Sequence, residues 1–512
     1  MPSDSFYVTT PIFYVNDVPH IGHAYTSIAC DVAARFMRLD GRDVKYITGT
    51  DEHGQKVEKS AEKAGVPPQE FVDKNAQAFR DMATALNLSH DDFIRTTEIR
   101  HKQSVTAFWK ILEKRGDIYL DKYAGWYSVR DEAYYTESEL TEDGLAPTGA
   151  PVEWVEESSY FFALSKWQDK LLEYYENNPD FIQPQSRRNE VISFVKSGLI
   201  DLSISRTSFK WGVPVPSNED HVVYVWLDAL TNYLSALGFP KKTEDYDKFW
   251  PASAHVVGKD ILRFHAIYWP AFLMAADLPL PKSIIAHGWW TNEGEKISKS
   301  LGNVIDPIAL IDEFGLDQVR YFLMREINFG NDGNFSKENL VTRNNSELAN
   351  KVGNLLQRTS SFVYKNCEQK IPPIDSAYVA EFYQSELMQE ILTITKDNVS
   401  KMESFQINKI LDNIIHITEQ ANLYIDQEAP WALRKTDLEK MNKVLYSLLE
   451  MIRYIAIMLQ PFVPDAAQKM LEQLNIPEDQ RDFAKLTQKY ALQPGAKINE
   501  PKPVFPRIEV KI

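Results

Sequence analysis

Residues 6–15, FYVTTPIFYV, form an almost unbroken run of β-branched and aromatic side chains, which predicts a buried strand. Asn16 to Pro19 carries a turn signal. From Ala24 to Leu39 the apolar positions Ile28, Val32, Phe36 and Leu39 recur at helical spacing, and Gly41 supplies a stop. The run DVKYIT predicts a second strand, followed at once by the polar GTDEHG. Strand, helix and strand in this order predict a doubly wound parallel sheet, in which ligands sit at the carboxyl ends of the strands. His20, His23 and Asp51 all fall there.

Residues 117–212 break the rhythm and read as an inserted domain rich in Tyr, Trp, Glu and Pro. The α/β pattern resumes in HVVYVWLDAL and in the apolar segments on either side of GKD. After about Asn345 strand signals vanish, and helical periodicities run to roughly residue 475, which predicts a separate helical bundle. The expected division is 1–116 and 213–303 for the two halves of the α/β domain, with 117–212 inserted. A linker, 304–345, a helical domain, 346–485, and a basic C-terminal tail, 486–512, follow.

A chain of 512 residues exceeds a single core, and 44% apolar with 25% charged residues is a globular composition. No apolar run reaches the ~18 residues of a membrane span. The N-terminus MPSDSFYVTT has neither the charged nor the apolar region of a signal or transit peptide. Cys30 and Cys367 alone exclude a disulfide framework or a Cys-rich metal site and point to the cytoplasm. A net charge of −16 argues against a nucleic-acid partner. The end of the chain reopens that question, with Lys485, Lys489, Lys497, Lys502, Arg507 and Lys511 against Glu500 and Glu509.

The turn Pro19-His20-Ile21-Gly22-His23 admits three readings. The histidines could ligate a metal with His53, Asp51 and Glu52, they could be satisfied structural residues, or they could donate to an anion. A strand-to-helix turn favours the last, because its free backbone N–H groups and positive dipole attract phosphate, and Gly22 permits close approach. An anion site of this kind calls for a distant cationic partner. GEKISKSLGNV supplies one, with Lys296 and Lys299 interleaved by Ser298 and Ser300 between Gly294 and Gly302.

Together His20-Ile21-Gly22-His23 and Lys296-Ile297-Ser298-Lys299-Ser300 resemble the two signature motifs of class I aminoacyl-tRNA synthetases. TTPIFYVNDVPHIGHAYT, GTDEHGQK, VYVWLDALTNY, GKDILRFHAIYWPAFL and AHGWWTNEGEKISKSLGNVIDP resemble the methionyl-tRNA synthetase family, over residue 5 to at least Trp431. The resemblance implies a Rossmann-type catalytic domain with an inserted connective domain, followed by an all-α anticodon-binding bundle. It implies activation of L-methionine by ATP, carried with Mg²⁺, and transfer to the terminal adenosine of tRNA(Met), initiator tRNA included. Asp51 would hold the α-ammonium, and Ile12, Tyr14, Trp226, Ala229, Tyr233 and His287 would line the methionine pocket. His20, Gly22, His23, Gly258 and Asp260 would contact ATP, with Lys296 and Lys299 on the leaving pyrophosphate. The bare spacing of Trp226, Ala229 and Tyr233 says only that they share a helical face, which is more often core than pocket.

Asn350, Asn354 and Arg358 recur every four residues, opposite Leu348, Val352, Leu355 and Leu356. Alone this is a solvated polar face. In the family such a helix reads the anticodon, and Pro430-Trp431 resembles its stacking tryptophan. One departure stands out: where zinc-bearing relatives carry Cys-x-x-Cys, this chain has Ser128 and Asp131, and the second pair would fall near Ala146 to Gly149. A zinc-free connective domain and, from the end of the chain at Ile512, a monomer are expected. Rival readings are another class I synthetase, a small nucleotidyltransferase, and an RNA-binding protein descended from a synthetase.

Overall fold

The computed structural model describes residues 5–16, 18–297 and 303–509, with the side chains of Tyr123 and Lys296 excepted. Lys299, with Ser298, Ser300 and Gly302, lies outside the described residues, as do Lys511 and the Lys296 side chain. The chain forms two compact units, Met1–Cys30 with Lys45–His287, and Asp31–Val44 with Gly288–Ile512.

The first unit is built on a seven-stranded sheet. The strand Asp43–Asp51 pairs in parallel with Asp92–Arg95 on one side and with Phe13–Tyr14 on the other. Ser5–Thr9 pairs in parallel with Ala254–Gly258, which pairs in parallel with Ile284–His287. The expected strand over 6–15 is thus two pieces, Ser5–Thr9 and Phe13–Tyr14. Pro11 has no N–H for the ladder and breaks the run. The register nevertheless carries across the break: Thr10 N–H bonds Ile47 O at 3.2 Å and Val15 N–H bonds Asp51 O at 3.2 Å. Tyr14 therefore stands opposite Asp51 at the carboxyl edge.

The helix expected from Ala24 begins at Ile21 and runs to Leu39. His20 is the reason. Its carbonyl accepts from His23 N–H at 2.9 Å and Ala24 N–H at 3.2 Å, and its ring Nδ1 accepts from Gly22 N–H at 3.1 Å. A side-chain acceptor at this position caps the first turn.

Residues 117–212 supply two things rather than one. Ala133–Tyr135, Ile118–Ser128, Glu153–Phe162 and Leu202–Ser203 form an antiparallel sheet in that order. Between its last two strands the chain returns to the parallel sheet, where Ile182–Gln183 pairs with Ile284 and Ile285 as an edge strand.

In the second unit, Trp290–Asn292 pairs with Glu295–Lys296 and with Gly333–Phe335 in a small sheet. Helices follow from Lys337 onward, the longest being Ile407–Glu428 and Leu438–Leu459. The segment expected as a basic tail packs on this unit through Leu486, Leu492, Ile498 and Phe505, all buried. Ile371 N–H bonds Ala496 O at 2.8 Å, and Ile498 N–H bonds Gln369 O at 3.0 Å. Lys489, Lys497 and Lys502 lie between these anchors, so charge composition alone hides its packing.

Candidate active site

The carboxyl edge of the parallel sheet gathers Tyr14, Asp51, Gly258 and His287 at the ends of four strands. The imidazoles of His20 and His23 stack with centroids 3.9 Å apart. Phe13 and Phe79 meet the His23 ring edge-on at 4.8 and 5.2 Å. Burial holds both histidines below the ordinary imidazole pKa, His23 strongly so, and the His20 ring adds to the depression at His23. They are neutral. His20 Nδ1 accepts from Gly22 N–H, and His23 Nδ1 accepts from His20 N–H at 3.1 Å. A neutral ring that accepts at Nδ1 carries its hydrogen at Nε2. Each ring therefore presents an Nε2–H donor, which suits an anion and opposes metal ligation.

This geometry corrects one part of the anion reading. The N–H groups of Gly22 and His23 are already bonded to His20, so the free backbone donors expected at this turn are not available there. Any attraction for an anion at these two positions would rest on the imidazoles and the helix dipole. Gly22 serves by close approach: a Cβ there would stand 3.0 Å from the His20 ring.

Asp51 is buried, and its Oδ1 has no hydrogen-bond partner among the described residues. Burial first, then the nearby Asp228 and Glu132 carboxylates, push its pKa well above the usual carboxylate range. Asp228 shows the opposite balance. Burial works against its charge, but His53 at 2.6 Å and His101 at 2.7 Å hold it ionised with a pKa of about 2. Behind Asp51, Glu52 receives Arg95 at 2.6 and 3.0 Å. A buried carboxylate with an unused oxygen is a receptor for a cation.

Trp226 and Ala229 lie on the helix Val225–Leu230, and Tyr233 on the next turn, Asn232–Ser235. Ala229 and Tyr233 are buried, and Trp226 lies flat on Phe264 at 3.7 Å. The Tyr233 ring stacks on His255 at 4.0 Å, and its hydroxyl is 2.7 Å from His265 Nε2. His265 Nδ1 faces the Ile261 carbonyl at 3.0 Å, and burial lowers its pKa to about 4. It is neutral and donates at Nδ1, so the Tyr233 hydroxyl donates to Nε2. The hydrogen of the Tyr233 hydroxyl is thus spent on His265.

His287 Nε2 sits 2.7 Å from Thr26 Oγ1, which donates to Gly22 O at 3.1 Å and so ties His287 to the histidine turn. Asp260 folds back toward Gly258, where a Cβ would stand 2.5 Å from its Oδ1, and its charge acts on His20. Ile12 lies half-buried between the two pieces of the first strand.

In the second unit Asn350 and Asn354 are exposed, while Leu348, Val352, Leu355 and Leu356 are buried. Asn350 lies in the π-helical stretch Asn344–Gly353, and Asn354 opens the α-helix Asn354–Asn366 that carries Arg358. Arg358 bonds Asp426 at 2.7 Å and stands 5.3 Å over the Trp431 ring, itself 45% exposed. Pro430 is buried at the start of the helix Pro430–Thr436. No periodicity or motif in the sequence marks Glu132, Asp228 or His265. Asp228 stands between Trp226 and Ala229 in a segment whose pattern shows only an apolar face.

A family model described as tRNA synthetases class I (M) matches residues 6–148 and 138–360, and one for the anticodon binding domain of methionyl tRNA ligase matches 376–511. A methionine–tRNA ligase of Rickettsia felis is 65% identical over 506 residues, covering 99% of each chain. That of Mesorhizobium japonicum is 53% identical, over 99% of this chain and 98% of its own. Among solved structures, Mycobacterium tuberculosis methionyl-tRNA synthetase in complex with methionyl-adenylate aligns with a TM-score of 0.94 at 48% identity, over 98% of this chain and 100% of that one. With matches of this depth along nearly its whole length, the chain belongs to the methionyl-tRNA synthetase family of class I tRNA synthetases.

Proposed function

We propose that this chain activates L-methionine with ATP at the carboxyl edge of the parallel sheet and then charges tRNA(Met). The observation that carries the assignment is the buried Asp51 oxygen, without a partner among the described residues, at the carboxyl edge of a sheet whose first strand-to-helix turn carries two imidazoles that expose Nε2–H. Asp51 takes the α-ammonium, and Ile12, Tyr14, Trp226, Ala229, Tyr233 and His287 surround the side chain. The methionine carboxylate attacks the α-phosphorus of ATP in line, the bond to the β,γ-pyrophosphate breaks, and methionyl-adenylate forms. His20 and His23 donate to phosphate oxygens as charge accumulates, and Gly258 and Asp260 hold the nucleoside end. The 2′-hydroxyl of the terminal adenosine then attacks the activated carbonyl and AMP leaves. Asn350, Asn354, Arg358, Pro430 and Trp431 read the anticodon. ATP–pyrophosphate exchange against a panel of amino acids tests the assignment: methionine alone should support full exchange, and exchange driven by another amino acid would refute it.

Lys296 and Lys299 neutralise the departing pyrophosphate. Lys299→Ala should slow adenylate formation about 10²–10³-fold while leaving methionine affinity unchanged in equilibrium binding. Since the Tyr233 hydrogen is committed to His265, sulfur recognition rests on pocket shape. Norleucine should then be activated with kcat/KM only about 10- to 200-fold below methionine. Undetectable norleucine exchange would contradict this.

The connective insertion is assigned no zinc. Ser128 Oγ accepts from Asp131 N–H at 3.3 Å, the Thr148 hydroxyl donates to Asp131, and Arg130 bonds Thr148 Oγ1 at 2.8 Å. Hydroxyls and a carboxylate already satisfied by one another do not fit a site made for thiolates. Purified protein should carry less than about 0.1 zinc per chain, and a zinc-selective chelator should leave exchange intact once Mg²⁺ is supplied. The same scarcity of cysteine supports a cytoplasmic location.

A further inference from the structure

Glu132 belongs to the connective insertion yet is buried, at 5% exposure, against Tyr14 of the parallel sheet. Its backbone adopts φ 51°, in the left-handed region, which a glutamate occupies only where its surroundings over-determine it. They do so from four directions. Oε1 accepts from the Tyr14 hydroxyl at 2.8 Å and from Lys56 N–H at 3.1 Å. Oε2 accepts from the Tyr127 hydroxyl at 3.1 Å, and the Glu132 carbonyl accepts from the Tyr224 hydroxyl at 2.8 Å. The Tyr14 hydroxyl also lies 3.0 Å from His53 O.

Gly54 makes room for this meeting. A Cβ there would stand 2.8 Å from the Tyr14 hydroxyl and 3.1 Å from Glu132 Oε1, and φ of +107° already favours glycine. The approach of Glu132 is fixed by the tight turn just before it. Ser128 and Asp131 close that turn by a hydrogen bond, and Asp131 is held from the facing turn by Thr148 and from the next strand by the Tyr135 hydroxyl at 3.2 Å.

We infer that Glu132 is a positioning residue for methionine recognition: the polar knuckle of the insertion delivers its carboxylate to the Tyr14 hydroxyl and so fixes one wall of the amino-acid pocket. The inference rests on the assignment of Tyr14 to that pocket. It also gives the knuckle a task that needs no metal, since Ser128, Asp131 and Thr148 serve only to aim the residue that follows.

The test is steady-state ATP–pyrophosphate exchange on the full chain, with KM for methionine and for ATP measured separately. Wild-type exchange is recorded first; if methionine does not drive it, the functional assignment fails rather than this inference. Glu132→Ala should raise KM for methionine tenfold or more with KM for ATP within threefold of wild type, and Glu132→Gln, which keeps an acceptor for Tyr14, should restore it to within threefold. Tyr14→Phe keeps the packing, loses only the hydroxyl, and should raise methionine KM at least fivefold, which keeps the inference testable if Glu132→Ala does not fold. Thr148→Val should raise methionine KM at least threefold in the wild type and less than twofold in Tyr14→Phe. Unchanged methionine KM in Tyr14→Phe, or a Thr148→Val effect of equal size in both backgrounds, would overturn the inference.

Discussion

Replacing Asp51 by asparagine should cost the chain most of its methionine affinity, about 2–5 kcal/mol, while ATP binds as before. Removing one member of a buried charge pair leaves the other without a partner, and here the one left behind would be the substrate ammonium. The loss corresponds to about 30-fold or more in the dissociation constant. Isothermal titration with methionine and with ATP separates the two effects. A further signature is pH dependence. In the empty site burial and the Asp228 and Glu132 carboxylates raise the Asp51 pKa, so a proton is held there more tightly than on an ordinary carboxyl. If methionine's ammonium pairs with the Asp51 carboxylate, its binding expels that proton. Affinity should therefore fall as pH is lowered through the raised pKa, and Asp51→Asn should bind methionine weakly with no such slope. A variant that kept the wild-type slope would assign the titration to another group.

The second large effect concerns which nitrogen of the histidine pair works. His23 accepts His20 N–H at Nδ1, so the account gives its catalytic contact to Nε2–H. An asparagine carboxamide reaches the place of Nδ1, whereas a glutamine reaches the place of Nε2. His23→Asn keeps the structural bond and should still lower kcat for adenylate formation about 10²–10³-fold, or about 2.7–4 kcal/mol. His23→Gln should recover at least about tenfold of that loss, because its amide donates near the original position. Single-turnover adenylate formation at saturating methionine and ATP reads the difference. Equal activity of the two variants would remove the Nε2 donor from the mechanism.

Much of this site was legible in the chain because its parts are local. The histidine turn sits between a strand and a helix whose periodicities are plain, and Asp51 ends a run of β-formers. What could not be read depends on contacts between distant segments. His20 moves the helix start by using its own ring as a cap, which apolar spacing does not register. The edge strand Ile182–Gln183 is two residues long and has no periodicity of its own; its partner Ile284–His287 creates it. Glu132 has a polar side chain in a polar-looking loop, and only the approach of Tyr14, Lys56 and Tyr127 makes it a buried anchor. Asp228 is hidden for the same reason, since its partners His53 and His101 come from two other elements. The end of the chain reads as a basic tail because its Lys and Arg outnumber its acidic residues, while four spaced apolar residues decide its position.

The most direct measurement is a crystal structure of this chain with methionine and a non-hydrolysable ATP analogue. The account predicts the α-ammonium nitrogen within about 3.2 Å of Asp51 Oδ1 and the Nε2 atoms of His20 and His23 at the same hydrogen-bonding distance from phosphate oxygens. An ammonium bound away from Asp51, or imidazoles that meet the phosphates through neither Nε2, would contradict it.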